Sequence, residues 1–397
     1  MNFYVIKAAV PLIAIVPLFA LCDRADALTA QPAALIAIDD PEVLPASPAS
    51  GVLFDGMLPA SPTRLFLFES LKSTHAAEPG PSARYLIVLL KNVSARPIEL
   101  TLLGNVAGPS DQPTTVGEAA TGCFLVNRLK GLSAEHQLSA GETLRVVSIK
   151  LSGSGSTVSG IIDVATDRPR DLRLTALASS DPSAASGALQ HFDEAKPWRA
   201  GVFDLSSVKK IALTVDAAAT PQGVHPTLIL GDDCHPLPSI SDGRPKPHTP
   251  APHGYACYPR LNGDGYYDLH GDYGVERTIT ATLTNSGSSP AAVQLYVRPR
   301  GGDVWGSFLV DSEIVQIANA RSVEDTQSLS GLYEIYSWEV NPGQVRRVAI
   351  TTMGQGEAAY PAWIYLNARQ SGSRAAPRPN DALTGAAASI ATCPSVR

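Results

Sequence analysis

Two cysteines and three histidines crowd one stretch of the chain: Cys234-His235, His248, His253 and Cys257. Two thiolates and two imidazoles can close a tetrahedron around zinc. Their intervals, however, match no standard zinc spacing. In an oxidising compartment the two cysteines sooner pair with each other. The expectation is therefore a Cys234–Cys257 disulfide closing a proline-rich loop, with solvated histidines and no metal. A few residues on, Asn262-Gly263-Asp264-Gly265-Tyr266-Tyr267-Asp268 carries oxygen side chains at alternate positions around a glycine turn, as a calcium loop does. Arg260 would be its first ligand and Gly271 its closing bidentate one, so the stretch reads as an Asx/Gly turn.

Only 6% of the chain is aromatic, yet Tyr255, Tyr258, Tyr266, Tyr267 and Tyr273 fall together. With Trp305 they form a candidate ligand-binding platform, because such rings join apolar area to a polar tip. The plainer alternative is that half of them pack on the core and the rest line a loop. Catalytic signatures are missing. There is no G-x-S-x-G elbow, H-E-x-x-H helix, phosphate loop or dinucleotide fingerprint. Convergent carboxylates such as Asp232, Asp233 and Asp303 are the one route left to hydrolysis, and spacing alone cannot show them meeting.

The elements that must position these residues are strands. Ile279, Ala281 and Leu283 alternate with threonines, as a half-buried strand requires. The run stops at the turn Asn285-Ser286-Gly287, and Val293, Leu295 and Val297 alternate again after Pro290. An earlier copy keeps the same parity: Leu86, Val88 and Leu90 answer the first strand, Asn92 answers Asn285 and Pro97 answers Pro290. Three further segments recur in order. Residues 122–126 match 306–310, 140–146 match 342–348, and 160–164 match 361–365. No long segment shows a helical period, so the reading is all-β: two tandem, related β-sandwich (Ig-like) domains.

This layout resembles a family of exported cyanobacterial proteins built on a domain of unknown function. The residues that carry the likeness are the Asn-led turn followed by Pro, His270-Gly271-Asp272-Tyr273-Gly274, and Pro342-Gly343-Gln344-Val345-Arg346. The resemblance implies the architecture and export, and brings no catalytic residue.

The chain has 397 residues, enough for two domains, with 17% charged residues and 32 each of Gly and Pro. A net charge of -6 gives no footprint for nucleic acid. Residues 1–27 read as a secretory signal peptide: Lys7, an apolar run to Leu21, then Ala25-Asp26-Ala27. Lipid modification at Cys22 is the alternative. Residues 28–50 read as an extended lead-in, 51–180 as domain 1, and 181–199 as a linker. Domain 2 spans 200–368 with a Pro-rich loop at 236–252, and 369–397 is a flexible tail. Cys123 and Cys393 are left over as a further disulfide or as free thiols. No segment of the mature chain reads as a membrane span. The functional expectation is a non-enzymatic exported protein, periplasmic, cell-surface or secreted, that needs no cofactor. Its partner would be a polysaccharide or a cell-envelope protein. The alternatives are a carbohydrate-active hydrolase or a purely structural assembly protein.

Overall fold

The computed structural model describes, with short gaps, residues 31–71, 83–192, 200–219, 227–230, 273–299, 304–320, 332–356, 362–369 and 374–375. Alternating and all-apolar runs form β1 (Ala34–Ile38), β2 (Gly51–Met57), β3 (Thr63–Leu71), β4 (Arg84–Asn92) and β5 (Ile98–Ser110). Helix α1 (Pro113–Lys130) follows, then β6 (Ala134–Leu138), β7 (Thr143–Leu151), β8 (Ser156–Thr166), β9 (Leu172–Ser179) and β10 (Gly201–Asp204). They make a six-stranded sheet, β10-β1-β3-β8-β5-β6, and a four-stranded sheet, β2-β9-β4-β7. Ile36, Leu65, Leu102 and Ile162 of the first meet Phe54, Leu86, Val88 and Leu174 of the second in one buried core. Two layers of extended backbone closing over an apolar interior is a sandwich-like arrangement.

The second unit begins with β11 (Ile211–Asp216), β12 (Leu228–Leu230), β13 (Glu276–Thr284), β14 (Ala291–Pro299) and β15 (Val304–Val310). It continues with β16 (Glu313–Ala320), β17 (Tyr333–Val340), β18 (Val345–Met353), β19 (Ala362–Ala368) and β20 (Arg374–Ala375). The sheets run β11-β13-β18-β15-β16 and β12-β19-β14-β17-β20. Ile279, Ala281 and Leu283 face Val293, Leu295 and Trp338 across a second core.

The repeated segments occupy matching places. β4 pairs antiparallel with β7 as β13 does with β18, and β5 pairs with β8 as β14 does with β19. The turn asparagines are clipped alike. Asn92 Nδ2 donates to Arg96 O at 2.7 Å and Leu138 O at 3.0 Å, while its Oδ1 accepts the Ser94 N–H at 2.9 Å. Asn285 Nδ2 donates to Ser289 O at 2.9 Å and Val340 O at 2.7 Å, and its Oδ1 accepts the Gly287 N–H at 2.9 Å. Gly141 and Gly343, at φ 76° and 71°, turn the chain so that each N–H reaches its asparagine's carbonyl at 3.0 Å. A Cβ is strained at such φ, which is why glycine recurs there.

Four expectations are corrected. Residues 122–126 lie in α1, not in a strand equivalent to β15. The helix starts with Pro113 in its first turn and stops at Gly131, φ 63°, in the left-handed cap position. It shows no apolar stripe because it is covered on two sides, by the outer face of the six-stranded sheet and by β15 and β16. The last repeat is offset by one residue. Leu102 faces Val164 as Leu295 faces Leu366, so 164 answers 366. The lead-in contains β1, all of it buried and parallel to β3, and β10 joins β1 rather than the second unit. Finally, no disulfide is shown: among the described residues no two cysteine sulfurs lie at bonding distance, and the expected Cys234–Cys257 pair lies outside them. Cys123 is buried within α1, whereas Cys22, Cys234, Cys257 and Cys393 lie outside the described residues.

Candidate functional site

The densest polar chemistry sits where the units meet. Along β3, Leu65 and Leu67 point into the core, so Arg64, Phe66 and Phe68 point to the opposite face. Asp163 of β8 is the direct cross-strand neighbour of Arg64. Arg64 donates to both Asp163 oxygens, at 2.7 and 2.8 Å, from a fully buried position. Its other hydrogen bonds cross to the second unit, at 3.2 Å to Glu276 Oε2 and 3.1 Å to Gly274 O. The guanidinium lies over the Phe124 ring, 4.7 Å from its centroid. Arg128, from the last turn of α1, also donates to Glu276. Burial pulls the Arg64 guanidinium down, but Asp163 and Glu276 together hold it above the ordinary arginine value. Guanidinium donors engage both carboxylates, Asp163 through both oxygens and Glu276 through Oε2. The cluster therefore clasps two units and a helix.

The rest of the junction is close-packed. Tyr273 is buried and stacks on Phe66 with centroids 5.8 Å apart. A Cβ on Gly117 of α1 would come within 2.6 Å of Gly356 O. One residue on, the Glu118 carbonyl accepts from Ser307 Oγ of β15 at 3.2 Å and Gln316 Nε2 of β16 at 3.4 Å. The Glu118 side chain is 4% exposed, and its Oε1 has no hydrogen-bond partner among the described residues. Burial pushes this carboxyl up to about 7.

A second cluster lies at one end of the second unit. Asp311 takes the left-handed conformation, φ 55°, between β15 and β16. Its Oδ2 accepts from Trp338 Nε1 at 3.2 Å and Arg346 at 3.3 Å, and its Oδ1 accepts the Ala349 N–H at 3.1 Å. The half-buried Tyr336 ring lies 4.9 Å from that of Trp338, with its hydroxyl on Glu313 Oε2 at 3.2 Å. Burial, then the nearby Glu313, raises the Tyr336 phenol above its ordinary value. The arrangement presents an aromatic edge, two carboxylates and a guanidinium together.

Of the six aromatic residues expected to form a platform, Tyr273 faces the junction interior, and Trp305 is half-buried at an irregularity where β15 pairs β16. Tyr255, Tyr258, Tyr266 and Tyr267 lie outside the described residues, as do the Asn262–Asp268 turn, the Cys/His stretch and Asp232, Asp233 and Asp303. Among the described residues no three His, Cys, Asp or Glu side chains gather as a metal site would require, and no helix is long and apolar enough to cross a membrane. Sequence reading missed the clasp because its members come from separate elements. The only trace is Tyr273-Gly274 within the family-like motif, whose Gly274 carbonyl takes the Arg64 bond.

No family model matches the chain, nor does any curated protein. Among solved structures, Lac15 from a marine microbial metagenome is 8% identical, over 80% of this chain and 57% of that one, with a TM-score of 0.15. The PBSX exported protein XepA is 9% identical over 81% and 88% of the two chains, TM-score 0.17. The tandem N-terminal CBM22-1-CBM22-2 domain of Paenibacillus barcinonensis Xyn10C is 9% identical over 82% and 93%, TM-score 0.14. The chain thus spans little more than half of the first of these, and TM-scores of this size establish neither a shared fold nor a shared function.

Proposed function

We propose that this is an exported, non-enzymatic protein of two tandem Ig-like sandwiches that binds a glycan or another component of the cell envelope. The observation that carries the reading is the surface at Tyr336. There an aromatic edge on a buried tryptophan adjoins Asp311, Glu313 and Arg346, the mixture of ring, acceptor and donor that sugar hydroxyls engage. The signal-like residues 1–27 and the resemblance to exported proteins support the location. The twin asparagine clips support two domains of one design.

The test is retention on insoluble cell-wall and exopolysaccharide preparations. The wild-type chain is expected to be held, Tyr336→Ala to lose at least tenfold in retention, and Tyr266→Ala with Tyr267→Ala to report on the expected platform. Failure of the wild-type chain to be retained by any preparation overturns the glycan reading. Release of reducing sugar during the incubation would move the assignment to a hydrolase.

A further inference from the structure

The clasp and the close glycine packing leave the carboxyl of Glu118 without a donor among the described residues. It is enclosed in the seam, its backbone carbonyl bridges to β15 and β16, and Oε1 is unpaired among the described residues. A buried acid without a donor is far better tolerated neutral than ionised. We propose that Glu118 makes the junction pH-sensitive, holding α1 against β15 and β16 when protonated and loosening that contact when ionised.

Among the described residues, the neighbouring elements offer no compensating charge. On β8, Asp163 is committed to Arg64 and Arg128. On β16, Glu313 receives the Tyr336 hydroxyl. On β5, Glu99 is exposed and Asn105 donates to Ala119 O. β15 brings Ser307 and no titratable group, and Gln355 beside Gly356 is neutral. α1 itself carries Arg128 and Lys130 in its last turn, with Arg128 held by Glu276.

The direction follows from the raised value. Below the ordinary 4.5 the acid is neutral whether the seam is closed or open, and nothing is lost. Between 4.5 and about 7 only the open form ionises, so closure weakens as pH rises. Above about 7 both forms are ionised, and the closed-to-open ratio has fallen by up to ~300-fold, ten to the power of that difference.

Amide hydrogen exchange on the full chain, corrected for intrinsic rates, tests this. Protection over 113–130 and 304–320 is expected to fall by one to two orders of magnitude between pH 5 and pH 8, and Glu118→Gln to abolish most of the fall while matching wild type at pH 5. A carbon-13 titration of the Glu118 carboxyl in the unaltered chain serves if the variant does not fold. A midpoint near the ordinary glutamate value, or identical pH profiles for wild type and Glu118→Gln, overturns the inference. The reading is independent of the glycan surface, no residue of which is altered in any arm of the experiment.

Discussion

Replacing Asn285 by alanine would remove one buried amide that does three things. Its Nδ2 ties Ser289 O to Val340 O, and its Oδ1 holds the Gly287 N–H. Each bond contributes about 1 kcal/mol net, and leaving the buried Val340 carbonyl without a donor costs about 1–3 kcal/mol more. Because water can reach the exposed turn and recover part of the loss, the expected total is about 2–4 kcal/mol. Asn92→Ala should cost a similar amount in the first unit, where Nδ2 serves three carbonyls including Ser139 O at 3.0 Å. Asn285→Asp keeps the Oδ1 bond but turns a carboxylate toward two carbonyls, so it should be no better than alanine. Urea denaturation followed by tryptophan fluorescence and circular dichroism measures all three. The reasoning would be refuted if either alanine variant lost less than about 0.5 kcal/mol, or if the aspartate variant were the mildest.

Other perturbations follow from the same geometry. Asp163→Ala leaves the Arg64 charge buried against Glu276 alone and should cost about 3–5 kcal/mol, while Arg64→Met with Asp163→Leu should recover most of it in the same melts. Gly117→Ala drives a Cβ against the Gly356 carbonyl, and a thermal melt should register a loss of about 1–3 kcal/mol. At the surface, the hydrogen bond from Arg173 holds the Asp55 carboxyl below its ordinary 3.8. That contribution is present above the unfolded value and lost as pH falls through the folded one. With Arg173 half exposed, Asp55→Asn should cost under about 1 kcal/mol at pH 7 and nothing near pH 2.

The strands were legible because a sheet with one buried face writes its period into the residues themselves. Leu86, Val88 and Leu90, and their counterparts Ile279, Ala281 and Leu283, face inward as their alternation requires. The turns were legible too, since Asn92 and Asn285 sit where only side-chain-capped backbone can reverse. α1 was not, because a helix covered on two sides has no polar face and so no stripe to read. Nor was β1, five apolar residues whose parallel partner lies elsewhere in the chain. The junction was hidden for a different reason. Arg64 and Asp163 are cross-strand neighbours in the first unit, but Glu276 reaches them, and β15 and β16 reach the Glu118 carbonyl, only through the docking of one unit on the other. Local periodicity is a property of a segment and belongs to the sequence. Burial of a charge depends on what the rest of the chain brings up against it, and that is decided by tertiary structure alone.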